Sequence, residues 1–231
     1  EVSLICFGRD AATNPTINGE PVDAIFADLH GAGEAKADLV GARRLAENAG
    51  VAFQGIVPRG SVGKKLASQL GLAPASFVVS SEQARTLFSQ PTNPNGRHNR
   101  EVVIPYLTGD DVTGRSLGRY IVDFFGVDEA EAALFEGPFA HVHSVKSHRS
   151  QMSQPEALET WWRHWRERSD MRSAIAPLPR FIVTPRVSKH RLFVWRQGPA
   201  SVDNALVAIA RPDDFTFGIL HSRHHRLWSL R

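Results

Sequence analysis

The chain of 231 residues has a single cysteine, Cys6, so no disulfide can form within it, and a reducing, cytoplasmic setting is expected. Cys6 sits among Leu4, Ile5 and Phe7 and reads as a small buried hydrophobe rather than a nucleophile. No apolar run approaches the roughly 18 residues of a membrane span, so no membrane partner is expected. No signal peptide opens the chain, because Glu1 leads directly into an apolar, strand-like run. Without an initiator Met, and stopping at Trp228-Ser229-Leu230-Arg231 inside a helix-like stretch, the sequence reads as a domain excised from a larger protein.

Several catalytic signatures are also missing. A DNA adenine methyltransferase needs an Asn-Pro-Pro-aromatic loop to hold the flipped base. The nearest string, Thr92-Asn93-Pro94-Asn95, lacks the second proline and the stacking ring. Gly55, Gly60 and Gly63 do not have the compact spacing of a nucleotide-binding loop. No Gly-x-Ser-x-Gly elbow marks a serine hydrolase. His221, His224 and His225, and His141 with His143, lack further ligands at diagnostic spacing, so no metal site is expected. Asp110-Asp111 and Asp213-Asp214 read as a turn and a helix start rather than a nuclease cluster. No catalytic residue is therefore assigned.

What the sequence does carry is a charge asymmetry. The formal net charge is only +3, yet residues 141–196 hold eleven Lys or Arg against four acids, and five of the ten histidines. Such a segment, at net +7, suits a polyanion, since each neutralised phosphate releases counterions; a solvated basic face is the plain alternative.

Periodicity gives mixed elements. Strands are expected at Val2–Phe7, Val51–Val57, Phe77–Val79, Val102–Tyr106, Arg119–Phe124, Phe181–Thr184, Leu192–Trp195 and Ala205–Ala210, with a hairpin turn at Asn18-Gly19. Helices are expected at Ala35–Glu47, after a Ser80 or Ser81 cap through Phe88, and over Asp128–Phe135. A further helix from Pro155 would align Leu158, Trp161, Trp162 and Trp165 on one face, a spacing that reads as core rather than base stacking; Arg163, Arg166 and Glu167 would face away from it. A closing helix over 213–230 would carry a stripe of Phe217, Leu220, Leu227 and Trp228. The class is α+β, without regular βαβ alternation. The Pro/Asn/Gly run between Gln90 and Asn99 is the best internal boundary, giving an N-terminal segment 1–90 and a core 91–231, unless the whole is one domain.

The run from Arg180 to Trp195 joins two strand-like segments through a polar junction. Pro185 breaks the first, and Arg186, Ser188, Lys189, His190 and Arg191 fall at the turn, a set able to read base edges in a groove. Lys146, His148 and Arg149 are the candidates for phosphate contact.

In order along the chain, five strings also resemble a known family. They are Val2-Ser3-Leu4-Ile5-Cys6-Phe7-Gly8, Pro105-Tyr106-Leu107-Thr108-Gly109-Asp110-Asp111, Trp161-Trp162, Thr184-Pro185-Arg186-Val187-Ser188-Lys189-His190-Arg191-Leu192-Phe193 and Phe217-Gly218-Ile219-Leu220-His221-Ser222-Arg223. Together they resemble the MmeI-like (type IIL) bacterial restriction–modification proteins with fused DNA methyltransferases. The resemblance implies a target-recognition domain that follows a methyltransferase core in the same polypeptide and reads double-stranded DNA, with the first strand abutting the core. It implies no cofactor in this segment, and S-adenosylmethionine, adenine-N6 methylation and in some relatives a nuclease in the parent. The competing expectations are a free-standing specificity subunit, a basic protein-interaction domain and a metal-dependent hydrolase.

Overall fold

The computed structural model describes residues 14–23, 25, 46–154 and 156–229. The expected strand Val2–Phe7, Cys6 and nearly all of the expected helix Ala35–Glu47 lie outside the described residues. The chain divides into two compact units, residues 1–49 and 50–231.

In the first unit, β1 (Thr16–Ile17) and β2 (Glu20–Pro21) form an antiparallel hairpin. Its two turn residues, Asn18 and Gly19, have φ of +53° and +88°. Two consecutive positive φ values make the type I′ turn that Asn-Gly favours, because glycine carries no Cβ and asparagine tolerates the left-handed region.

In the second unit the elements run β3 (Ala52–Gln54), α1 (Lys64–Gln69), β4 (Val78–Val79), α2 (Ser81–Phe88), β5 (Val103–Leu107), α3 (Gly109–Thr113), β6 (Tyr120–Val122), α4 (Glu129–Ala133), α5 (Glu136–Val142), α6 (Ser144–Arg149) and α7 (Glu156–Glu159). They continue with α8 (Ser169–Ile175), β7 (Arg180–Pro185), β8 (Val194–Gln197), β9 (Ser201–Val202), β10 (Leu206–Ile209), α9 (Asp214–His221) and α10 (Arg223–Ser229). The architecture is α+β.

Local chemistry explains several boundaries. The Ser80 hydroxyl accepts from Gln83 N and the Gln83 side chain accepts from Ser80 N, a capping box that starts α2. Asp128 and Asp213 accept from Glu131 N and Thr216 N, each three residues on, and start α4 and α9. Asp111 likewise closes a turn by accepting from Thr108 and Leu117.

Two four-stranded sheets organise the unit. One has the order β3-β10-β7-β8, antiparallel throughout. The other has the order β4-β6-β5-β9, in which β5 and β9 pair in parallel. Between β9 and β10 only Asp203, Asn204 and Ala205 carry the chain from one sheet to the other. Tyr106 of β5 donates to Asp203 across this junction, and Ile56 N donates to Val202 O. The core is continuous through Ile56, Phe77, Val79, Ile121, Val122, Phe124, Phe135, Val183 and Leu206.

Two helical expectations change. The helix after Pro155 ends at Glu159, and Trp161, Trp162 and Trp165 lie in the irregular segment that follows. Trp161 and Trp162 are nonetheless core: their indole N–H groups donate to Glu129 and Val127 O, which removes the penalty of burying them. Leu158 and Trp165 are not buried. Nor does Arg163 stand free with Glu167, since the two form a paired, half-buried contact. The closing helix breaks at Ser222 into α9 and α10. Phe217 stacks on Trp195 of β8 at 4.7 Å, but Leu227 and Trp228 are exposed, so the expected stripe is only partly buried.

Candidate nucleic-acid interface

Strand β7 ends at Pro185, and the loop to β8 leaves the sheet there. Arg186, Val187, Ser188, Lys189 and His190 are all exposed, Val187 at 91 %. Backbone bonds fix the base of the loop: Arg186 N donates to Ala205 O at 2.8 Å, and the Arg186 guanidinium reaches Asn204 O at 3.3 Å. The Ser188 hydroxyl accepts from His190 N at 3.3 Å, a local turn that holds the tip. Four of the five residues expected to read bases therefore stand together in one exposed loop.

Arg191 does not join them. Its guanidinium stands 2.6 Å from His225 Nδ1 and 5.7 Å over the Phe193 ring. That same nitrogen lies 2.9 Å from Leu220 O, and the tautomer sets which of the two contacts it serves, since one ring nitrogen cannot accept from Arg191 and donate as well. Arg191 thus anchors the returning limb of the hairpin on α10.

The expected phosphate residues separate more sharply. Lys146 is exposed, 3.7 Å from Glu129 and 5.1 Å over the Trp161 ring. His148 is only 2 % exposed: Nε2 donates to Ala73 O at 2.7 Å and Nδ1 accepts from Val62 N at 3.3 Å. That pattern fixes a neutral imidazole, which offers an anion nothing. Arg149 is 1 % exposed and donates to the carbonyls of Pro58, Arg59, Ala157 and Thr160 at 2.8, 3.3, 3.1 and 3.0 Å. Burial, with the nearby Arg59 charge, lowers its pKa to about 10, so it remains a cation at neutral pH. Burial takes His148 and Arg149 out of reach of an external phosphate, and Arg149 instead ties the Pro58–Arg59 turn to the Ala157–Thr160 segment.

A polar row continues from the hairpin along the same end of the β3-β10-β7-β8 sheet. Register places Leu206 of β10 opposite Pro185 and Val207 opposite Gln54, so the ends of β7 and β3 flank the Asp203–Ala205 turn. Asn204 O accepts from both Arg186 and the Gln54 amide (3.3 Å each), and the Gln54 carbonyl oxygen accepts from Arg168 at 2.9 Å. Arg186, Asn204, Gln54 and Arg168 thus form one hydrogen-bonded rim. The sequence reading missed Gln54, Asn204 and Arg168; only the Asp203-Asn204 turn pair offered a local signal.

Beside this rim, His164 is fully buried, with Nε2 donating to Val122 O at 2.9 Å and Nδ1 3.7 Å from Asp123, which Arg172 pairs at 2.8 Å. Burial holds its pKa below the ordinary 6.5, the Asp123 charge opposing and Arg172 assisting. The folded state then binds the proton less readily than the unfolded chain does. The stability due to neutral His164 is complete above about pH 6.5 and is lost as pH falls from there through the folded value. His141 is shifted in the same direction, also chiefly by burial. The melting temperature should therefore fall between about pH 7.5 and 5.5, and His164→Gln, which keeps a donor for Val122 O, should flatten much of that slope. An unchanged slope in the variant would place the titration elsewhere.

Among the described residues, no group of three or more His, Cys, Asp or Glu is placed to hold a metal ion, and no helix is long and apolar enough to cross a membrane. Two of the glycines before α1 are tightly packed, while nothing lies within 4 Å of a Cβ on the third, Gly63. A Cβ on Gly55 would meet the carbonyl oxygens of Val202 and Asp203, and one on Gly60 would meet the Phe77 ring, so both serve close packing.

No protein-family model matches the chain, and no curated protein matches it. Among solved structures, the chain is similar to the type IIL restriction–modification enzyme MmeI, whose structure was determined in complex with DNA. The TM-score is 0.60 over 95 % of this chain at 15 % identity. The fold is that of a segment of MmeI. The chain spans 28 % of the MmeI length.

Proposed function

We propose that this chain is a double-stranded-DNA-reading segment of a restriction–modification DNA methyltransferase, with the β7–β8 tip as its reading edge. One observation carries the reading: Arg186, Ser188, Lys189 and His190 project together from the end of a sheet whose fold is shared with an enzyme solved on DNA. Arginine and lysine can pair with guanine O6 and N7, while serine and histidine add single contacts. The exposed Val187 between them supplies an apolar surface for a thymine methyl. The rim through Asn204 and Gln54 gives the tip a rigid base. Arg191 supports the loop from α10, and Lys146 is left for phosphate contact.

The catalytic half belongs to the parent polypeptide. There, a methyltransferase domain would bind S-adenosylmethionine and methylate adenine N6, and this segment would choose the site.

The test is duplex binding by anisotropy at about 50 mM salt, where backbone contacts are least screened. Arg186→Ala should cost about 1–3 kcal/mol on a preferred duplex and relax one base position, if Arg186 reads a base. Lys189→Ala should behave likewise. A domain that binds acidic proteins instead would retain no duplex under these conditions, and that result would sink the reading.

A further inference from the structure

Trp165 and its two neighbouring arginines are unlike the other tryptophans of the chain. Trp165 lies between Trp162 and the start of α8, half-exposed, where Arg166 N and O pair with Val57 O and N in an antiparallel bridge. The Arg59 and Arg166 guanidinium carbons both stand over its ring, at 4.4 and 4.3 Å. Neither guanidinium has a hydrogen-bond or carboxylate partner among the described residues. The nearest acid in sequence, Glu167, is occupied by Arg163. The ring holds the two cations in place without neutralising them, as cation–π contact does.

Backbone conformation adds an independent sign. Arg59 and Arg168 have φ of +46° and +56°, and among the described residues the only other non-glycine with positive φ is Asn18. An arginine in the left-handed region carries a penalty that glycine would not, so its retention there points to use of the side chain. Arg149 holds the Pro58–Arg59 turn in this shape from beneath, through the Pro58 and Arg59 carbonyls. Trp165, Arg166, Arg168 and Ser169, with the acids Glu167 and Asp170, line an open cleft of about 340 Å³, and Arg59 stands outside that lining.

We infer that Arg59 and Arg166, held over Trp165, form a phosphodiester-binding clamp that grips the DNA backbone away from the β7–β8 tip. The inference rests on the DNA-reading proposal and extends it: the tip reads bases, and this arginine pair sets register on the strand. Two unpaired, planar, pre-positioned guanidinium groups suit the oxygens of a phosphate, which they can meet with paired N–H donors. The clamp carries no sequence information, so its loss should weaken all duplexes alike.

The experiment measures binding of the full chain to a mixed-sequence duplex between about 50 and 200 mM salt, for the wild type, Arg59→Gly, Arg166→Gln and the double variant. Each lost phosphate contact should reduce the slope of log affinity against log salt by about 0.9, so the deficit relative to wild type shrinks about threefold across that range. Arg59→Gly should keep or raise the melting temperature, because glycine adopts the left-handed conformation freely. Wild-type slopes in all variants, with the wild type itself binding, would overturn the clamp and leave the DNA-reading proposal intact. Slope loss accompanied in both single variants by a lower melting temperature would also overturn it, as a structural effect. Absence of salt-dependent duplex binding by the wild type would overturn both.

Discussion

Arg149→Met loses about 3 kcal/mol of stability, a drop of roughly 6–12 °C in melting temperature for a chain of this size. Arg149 donates to four carbonyls from a position that is 1 % exposed. Two of them keep other donors after the change: Pro58 O accepts from Trp165 N, and Thr160 O accepts from Arg163 N. Arg59 O and Ala157 O lose their donor, at about 1–3 kcal/mol for each buried group left unsatisfied. Methionine fills much of the arginine's volume and removes the cost of burying a charge, which keeps the loss at the lower end of the range for broken buried polar networks. Chemical denaturation measures it. A phosphate-contact role for Arg149 predicts the reverse pattern, with stability unchanged and the salt dependence of DNA binding reduced by about one.

Gly55→Ala should be at least as damaging, at about 3 kcal/mol or more. The reason is space rather than conformation. A Cβ at Gly55 would sit 2.2 Å from the carbonyl oxygens of both Val202 and Asp203, and these are backbone atoms that cannot rotate away. Relief requires β3 to separate from the β9–β10 turn, which breaks the Ile56 N to Val202 O bond and moves Gln54 off Asn204. Duplex affinity should therefore fall together with stability. Gly63→Ala is the control: nothing lies within 4 Å of its added Cβ, so it should stay within about 0.5 kcal/mol of wild type. Equal stabilities for the two variants in urea would contradict the packing account.

Features with short-range causes were legible in the sequence. The Asn18-Gly19 hairpin, the Ser80 and Asp128 caps and the β7–β8 junction all follow from side chains acting within a few residues. The apolar stripe after Pro155 misled because Leu158 and the tryptophans match a helical period that the chain abandons at Glu159. There, the Trp161 and Trp162 N–H groups find partners on and beside α4, and tertiary contact decides the conformation. His148 and Arg149 misled for a related reason. Residue type and net charge say that a basic segment can meet an anion, but whether a given cation faces solvent depends on carbonyls about 90 residues away in Pro58 and Arg59. The rim was invisible because Gln54, Arg168, Arg186 and Asn204 converge only when β3, β10 and β7 pair. The left-handed conformation of Arg59 leaves no mark in the sequence at all.

The central claim, that the β7–β8 tip reads DNA sequence, is tested most directly by selecting duplexes from a randomised pool with the wild-type chain and with Arg186→Ala and Lys189→Ala. The account predicts that the wild type enriches one short motif and that each substitution relaxes a position within it. A pool that stays random with the wild type, or a motif unchanged by both substitutions, would contradict it.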